Sequence, residues 1–199
     1  MSVHLHDSDF YGQQFTQLVA TDSEFENKSF DGCHFTDCDF SGSVFRDCEF
    51  SDCQFVKCNM SMINVINSTF VDVGFEHCKL LGVDWSQAYW QGLSLGTPLE
   101  FNHCLLSSCS FFGLELPKLM LQHCRAHDVD FREAKLPKAD FAFSDLAGAL
   151  FHHTDLSEAN FNDACNYHLN IHHNQVNKAI FKRLEATRLL ESLDIVLVD

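Results

Sequence analysis

The sequence has few basic residues and no long apolar run. Lysine and arginine together number 13 against 28 aspartates and glutamates, so the formal net charge is −15. A chain with this excess of acid is expected to be repelled by nucleic acid. No apolar stretch approaches the ~20 residues that a membrane-spanning helix needs, and no charged-then-apolar leader is present. We therefore expect a cytoplasmic protein that binds neither nucleic acid nor membrane.

The motifs of common catalytic and metal sites are also missing. The sequence contains no glycine-rich phosphate loop, no nucleophile elbow and no HExxH motif. Its ten cysteines do not form the CxxC pairs of zinc sites, and a cytosolic chain keeps them reduced. Several histidines recur 20 residues apart, such as His103 with His123 and His153 with His173, which indicates surface columns. We predict no catalytic residue, no metal site and no cofactor.

Phenylalanine is abundant and recurs at a fixed interval. From Phe25 to Phe55 every fifth residue is a phenylalanine, seven in succession. An interval of five fits neither the 3.6-residue period of a helix nor the two-residue period of a strand. These central positions continue, mostly as large apolar residues, from Phe10 to Leu95 and, after a slip of one residue, from Phe101 to Phe181. The sequence therefore predicts five-residue repeats.

Two other positions of the repeat have preferences of their own. The inner position, two residues before the central one, is mostly small and holds nine of the ten cysteines. Side chains alternate along extended chain, so the inner residue points into the same core as the central one. The corner position, two residues after the central one, holds seven of the nine glycines. Cys165 departs from this pattern and is predicted to be the most exposed thiol.

Short straight segments joined by corners at a constant interval predict a solenoid. Four repeats make a coil of 20 residues, and successive coils stack at about 4.8 Å through backbone hydrogen bonds. Phe112 and Phe143 lie outside the central positions and are expected at the surface. The slip falls in residues 96–100, where Pro98 removes one hydrogen-bond donor, so a small loop or bulge is predicted there.

The repeat, together with three stretches, carries a resemblance to a known family. The stretches are CKLLGVDWSQAYW (78–90), FNDACNYHLNIHHN (161–174) and LEATRLLESLDIVLVD (184–199). The chain resembles the pentapeptide repeat proteins, in particular the topoisomerase-protecting subgroup of albicidin-resistance, Qnr and microcin-immunity proteins. The resemblance implies an all-β solenoid, a right-handed quadrilateral β-helix over residues 1–181, followed by a C-terminal capping helix and tail over residues 182–199.

The end of the chain changes from the five-residue repeat to helical spacing. Ala186, Leu189, Leu190 and Leu193 form one apolar stripe, as a helix that caps an exposed solenoid core requires. Leu184 lies off this stripe and is expected to pack with Ile180 on the last coil. In the resembling family this module joins two rods end to end. The implied dimer interface comprises Leu189, Leu190, Leu193, Ile195, Val196 and Leu197; a monomer with its tail folded back is the alternative.

The excess of acid lies in the repeats. Residues 1–177 contain 9 basic and 24 acidic side chains, whereas the last 22 residues are balanced. On charge alone, solubility is the simpler explanation, because an acidic surface also opposes aggregation of stacked β-structure. An acidic rod is also attracted to a groove built to hold DNA, since duplex DNA carries one negative charge per ~1.7 Å.

The resemblance favours the second explanation. Proteins similar to this one are held to mimic duplex DNA, to occupy the DNA-binding saddle of DNA gyrase and to relieve poisoning by albicidin or quinolones. The resemblance thus implies a homodimer that binds gyrase, with topoisomerase IV as a second candidate. Large loops like those of the Qnr proteins are missing, which favours albicidin. A structural or scaffold protein with a non-topoisomerase partner is the alternative. The expected partner contacts are Asp37, Asp39, Asp47, Glu49, Asp52, Asp130, Asp140 and Asp145.

Overall fold

The computed structural model describes residues 7–90, 99–193 and 195. Over this part of the chain the predicted fold is confirmed: a right-handed quadrilateral solenoid of about eight turns. The strands are β1 Asp9–Tyr11, β2 Gln14–Thr16, β3 Glu24–Glu26, β4 Ser29–Asp31, β5 His34–Thr36, β6 Val44–Arg46, β7 Glu49–Ser51, β8 Gln54–Val56, β9 Thr69–Val71, β10 Val73–Glu76, β11 Leu99–Asn102, β12 Met120–Gln122, β13 Asn160–Phe161 and β14 Ile180–Phe181.

Parallel ladders build the four faces of the rod. Face 1 contains β1, β4, β7 and β9; face 2 contains β2, β5, β8, β10, β11 and β12 and continues to β13 and β14. Face 3 consists of isolated bridges such as that between Val19 and Asp39, and face 4 contains β3 and β6. Because each strand holds only a few residues, the ladders between coils supply the backbone pairing of the fold.

The slip in the repeat lengthens one coil. On face 2 the paired residues of successive coils lie 20 residues apart as far as the pair of Phe55 and Phe75. The next partner of Phe75 is Phe101, so this coil is longer than the others. Leu99 and Glu100 belong to β11, so the irregularity predicted over residues 96–100 does not include them. Residues 96–98 lie outside the described part of the chain.

The core is a set of stacked phenylalanine columns. On face 1 the ring of Phe50 stacks between those of Phe30 and Phe70, with centroids 5.0 Å away on either side. Rings on neighbouring faces meet edge to face, as Phe30 and Phe35 do at 5.6 Å. These are the preferred aromatic geometries, and each pair adds about 0.5–1.5 kcal/mol beyond its area burial. As predicted, Phe112 and Phe143 are exposed.

Most corners have left-handed backbone, and many different residue types occupy them. The structure gives positive φ to 24 described residues other than glycine, among them Asp37, Lys57 and His77 at one corner of successive coils. At most corners the N–H of the corner residue donates to a carbonyl of the next coil, as Asp37 does to Val56 O at 3.0 Å. The sequence had suggested Gly and Asn for these positions; the ladder holds other residues there despite their ordinary preference.

The inner cysteines are buried and free, as predicted for nine of them. One column contains Cys38, Cys58, Cys78, Cys104 and Cys124. Each thiol donates to a carbonyl of the preceding coil. Each thiol after the first also accepts the backbone N–H of the cysteine before it in the column, at 3.3–3.4 Å between N and Sγ. The inner residue is therefore a hydrogen-bonding partner for a buried amide as well as a small packing residue.

The last coil departs from the predicted register. Asn166, expected at a central position, is exposed with φ 58°, and Tyr167 fills the core instead. The capping helix is present over Glu185–Leu193 with 3₁₀ geometry, and its Leu189 packs against the core. No helix among the described residues is long and apolar enough to cross a membrane.

Candidate partner-binding surface

The eight acidic residues expected to contact a partner are distributed around the rod. No single face holds them all. Glu49 lies on face 1; Asp140 on face 2; Asp39 and Asp145 on face 3; Asp130 on face 4; and Asp37, Asp47 and Asp52 at corners.

Four of the eight are free, and all four lie in residues 7–90. Asp37, Asp47, Glu49 and Asp52 are exposed, and within the described residues their carboxylates form no hydrogen bond or ion pair. Three of them, each at a different corner, project from left-handed backbone with φ between 51° and 53°. Their charge is therefore available to a partner without breaking contacts of the rod.

The other four are held by neighbouring side chains. Burial disfavours the charged form of Asp39, but hydrogen bonds from Ser41, at 2.6 Å from Oγ, and from Asn59 outweigh it and lower its pKa. The guanidinium of Arg132 donates twice to Asp130, at 2.9 and 2.6 Å, and lowers the pKa of that carboxyl. These carboxylates are ionised, but their negative charge is already stabilised by neighbouring hydrogen-bond donors of the rod.

Asp140 and Asp145 are compensated in the same way. Asp140 accepts hydrogen bonds from Gln122 Nε2 at 2.7 Å and Asn160 Nδ2 at 3.0 Å. Burial opposes ionisation of Asp145, yet hydrogen bonds from Asn166 and His127 lower its pKa. We conclude that these residues contribute more to joining coils than to an outward-facing charge.

The free carboxylates belong to a larger set that sequence reasoning found only in part. We use the name acidic strip for the exposed acids on face 1 and its two corners between residues 9 and 72; none forms an ion pair within the described residues. Of its missed members, Asp9 shares a column with Glu49 and Asp72 shares one with Asp52, so the 20-residue period was the signal for these two. Asp31 shares its column with no other acid and had no such signal. The acidic strip comprises Asp9, Asp31, Asp47, Glu49, Asp52 and Asp72.

The same face loses its negative charge further along the rod. Beyond residue 99, Lys135 pairs with Glu115 on face 1 at 3.0 Å, and Lys138 pairs with Glu158 at the corner that follows this face at 3.9 Å. Over the whole rod, residues 7–90 hold 14 acidic and 4 basic side chains, a net −10, whereas residues 99–181 hold 10 and 6, a net −4. The two halves are thus electrostatically different.

The C-terminal end exposes apolar side chains. Of the predicted dimer residues, Leu189 packs against its own rod, Leu190 is half-buried, and Leu193 and Ile195 are exposed. Leu184, expected to pack with Ile180 on the last coil, is 78% exposed, and Ile180 is exposed too. Val196 and Leu197 lie outside the described residues.

Histidines stack along two columns of the surface. His77, His103 and His123 lie ring on ring at 4.9 and 4.6 Å, and Phe143 continues the stack at 4.6 Å. The predicted pairing of His153 with His173 is looser, at 6.4 Å between centroids. Among the described residues, no group of three or more His, Cys, Asp or Glu side chains is arranged to hold a metal ion.

Comparisons with known proteins agree with this geometry. A family model for the pentapeptide repeat region matches residues 28–98 and 97–161. A trypsin-treated form of QnrB1, described as a plasmid-mediated fluoroquinolone resistance protein, has a solved structure that is 23% identical, covering 96% of this chain and 99% of that one with a TM-score of 0.51. Full-length QnrB1 is 18% identical over 94% and 97% of the chains, with a TM-score of 0.50.

A third solved structure is more distant. HetL from the cyanobacterium Nostoc sp. strain PCC 7120, a pentapeptide repeat protein involved in heterocyst differentiation regulation, is 14% identical over 87% and 86% of the chains, with a TM-score of 0.41. No curated protein sequence is significantly similar to this chain. At these identities the likeness concerns the fold.

Proposed function

Because the chain belongs to the pentapeptide repeat family, we propose that it acts in the cytoplasm by binding, as an acidic mimic of duplex DNA that protects DNA gyrase from albicidin- or quinolone-type inhibitors. Topoisomerase IV, whose DNA-binding site must meet the same chemical requirement, is a second target. The observation that carries this proposal is the acidic strip, whose carboxylates form no ion pair within the described residues.

The local charge density of the strip supports the comparison with DNA. Asp47, Glu49 and Asp52 follow one another within one coil, which advances the rod by about 4.8 Å. This corresponds to roughly one charge per 1.6 Å in that coil, against about one per 1.7 Å along duplex DNA. A basic groove that binds DNA therefore meets a similar density of negative charge on this coil. The carboxylates are carried by a packed solenoid, which loses little conformational entropy on binding.

The partner contacts are proposed on the first half of the rod. The paired acids of the second half, such as Asp130 with Arg132, would have to give up existing partners to bind a basic groove. Glu49 and Asp52 have none to give up within the described residues. We accordingly assign the gyrase contacts to the acidic strip and to Asp37, with Asp39, Asp130, Asp140 and Asp145 as weaker contributors.

The C-terminal end is proposed to join two copies. Leu193 and Ile195, together with Ile180 and Leu184, present apolar surface at one end of an otherwise acidic rod. A symmetric contact between two such ends would bury this surface, and the balanced charge of the last 22 residues would not oppose it. The result is a homodimer with an acidic strip on each arm.

Competition with DNA tests the proposal directly. Purified protein is titrated against immobilised gyrase with and without duplex DNA, and Glu49→Lys/Asp52→Lys is compared with Glu115→Lys/Glu158→Lys, which has the same net charge. We expect DNA to compete, at least a tenfold weaker affinity for the first variant and less than threefold for the second. Equal losses would indicate general electrostatic attraction, and no binding at all would leave a scaffold protein with another partner.

A further inference from the structure

Three histidines form a tight group where the last coil joins the rod. His152 and His153 have ring centroids 4.1 Å apart, and His173 of the last coil lies 5.1 Å from His152 and 6.4 Å from His153. His152, His153 and His173 are all exposed. The backbone N–H of His153 donates to the carbonyl of His173 at 2.7 Å, so two of the three histidines also carry a backbone hydrogen bond that joins the last coil to the rod.

The last coil is less tightly packed than the coils that precede it. Central residues up to Phe161 in the neighbouring coils are buried, whereas Ile171, Val176 and Phe181 are only partly buried. Tyr167 contributes a fully buried hydroxyl with no hydrogen-bond partner. A terminal repeat has only one neighbouring coil, so it opens at lower free energy than an internal one.

We propose that His152, His153 and His173 act as a pH-sensitive latch, whose protonation releases the last coil, residues 166–181, together with the C-terminal helix. An imidazole becomes charged as the pH falls through about 6.5, and a second charge a few ångströms away is repelled. His173 lies 5.1 and 6.4 Å from the other two rings, and at such distances in water the repulsion corresponds to a factor of about three to four in an equilibrium constant for each charged pair. Opening the last coil separates His173 from the other two rings and relieves the repulsion.

The surrounding charges strengthen this effect more than they oppose it. Arg132, in the preceding coil, adds positive charge beside His152, while Glu133 opposes it. The carboxylate of Asp130 does not compensate the cluster, because Nε and Nη2 of Arg132 already donate to it. Two further groups lie near the three histidines in sequence. His172, next to His173, adds another imidazole, and Asp155, on the next face, adds a carboxylate.

The direction of the pH dependence follows from His152. Desolvation, then the charges of His153, His173 and Arg132, lower its pKa from the usual 6.5. The opened state therefore binds more protons than the closed state below that value. The closed coil is fully stable above pH 6.5 and loses stability as the pH falls from there toward the lowered pKa.

Hydrogen exchange of the full-length protein at pH 7.5 and 5.5 tests the latch, with labelling times scaled to the intrinsic exchange rate. We expect protection of residues 166–181 to fall at least fivefold at pH 5.5, while residues 101–150 change less than twofold. In His152→Gln/His153→Asn the fall should vanish; the matched control His103→Asn/His123→Asn, which removes two stacked histidines elsewhere, should retain it.

Two outcomes would overturn the proposal. One is unchanged protection of the last coil at pH 5.5 in the unmodified protein, a result that does not depend on any variant folding. The other is the same fall in protection in the His152→Gln/His153→Asn variant, which would assign the pH dependence to other groups. The latch is independent of the gyrase proposal, because neither readout involves a partner.

Discussion

The backbone N–H of Cys104 donates a hydrogen bond to Sγ of Cys124, one coil further along the rod and 3.3 Å away. Cys124 in turn donates its N–H to Ser144 Oγ at 3.0 Å. Thus a chain of inner side chains satisfies buried amides that the strand ladders leave unpaired. Leaving such a donor without an acceptor costs about 1–3 kcal/mol, which explains why the inner position holds Cys, Ser, Thr or Asn so often.

Replacing Cys78 distinguishes this role from simple packing. Cys78→Ala removes the acceptor of the Cys58 N–H, so we expect a loss of about 1–3 kcal/mol in the free energy of unfolding. Cys78→Ser keeps an acceptor, as Ser144 does in the same column, and should cost about 1 kcal/mol or less. Urea unfolding measures both, and equal losses would show that the hydrogen bond contributes nothing.

Buried thiols should make the protein sensitive to alkali. Burial raises the pKa of Cys53 and Cys109 from 9.0 to about 12. The unfolded chain therefore releases these protons above pH 9 while the native state retains them, so stability falls between pH 9 and about 12. At pH 10 the loss is about 1 kcal/mol for each thiol. Urea midpoints at pH 8, 9 and 10 check this; a midpoint independent of pH, or one with the same slope in Cys53→Ser, would contradict it.

The phenylalanine columns should account for much of the stability. Phe50 is fully buried between two stacked rings, so Phe50→Ala should lower the free energy of unfolding by about 3–5 kcal/mol. The control Phe112→Ala removes an exposed ring that lies beside the guanidinium of Arg132, 5.7 Å from its Cζ, and should cost less than about 1 kcal/mol. Comparable losses for both variants would mean that the stack adds little.

The dimer proposal predicts a change in assembly without a change in fold. Leu184→Glu/Ile195→Glu places two charges on the exposed C-terminal end and should convert a dimer of twice 22.7 kDa into a monomer. The control Leu105→Glu alters another exposed apolar residue, on face 3, and should leave the dimer intact. Sedimentation equilibrium measures the mass. A monomeric unmodified protein, or a dimer that survives the double substitution, would exclude this interface.

Most of the fold could be predicted because the five-residue spacing assigns each position of the repeat to the core, to a corner or to the surface. The five-residue interval placed Phe50 in the core and Phe112 at the surface, and both are confirmed. The sequence did not show that Tyr167, and not Asn166, fills the core in the last coil, because either residue keeps the five-residue spacing within one position. The hydrogen bonds of the inner column were also missed, because sequence patterns do not show which backbone amides lack a partner.

The candidate surface was less predictable. Counting in steps of 20 residues would have placed Asp72 in the same column as Asp52, because one coil separates them. Which acids are free could not be foreseen. Asp140 is engaged through Gln122 and Asn160, whose reach depends on side-chain conformations across neighbouring coils.

Supercoiling by purified gyrase tests the central claim most directly. The protein is titrated into the reaction with and without albicidin, and in parallel with a quinolone, beside the Glu49→Lys/Asp52→Lys variant and its matched control Glu115→Lys/Glu158→Lys. The account predicts that the unmodified protein and the control restore supercoiling in the presence of drug, and that the acidic-strip variant needs at least tenfold more protein. No restoration with either drug at any protein concentration, despite an intact fold, would contradict it.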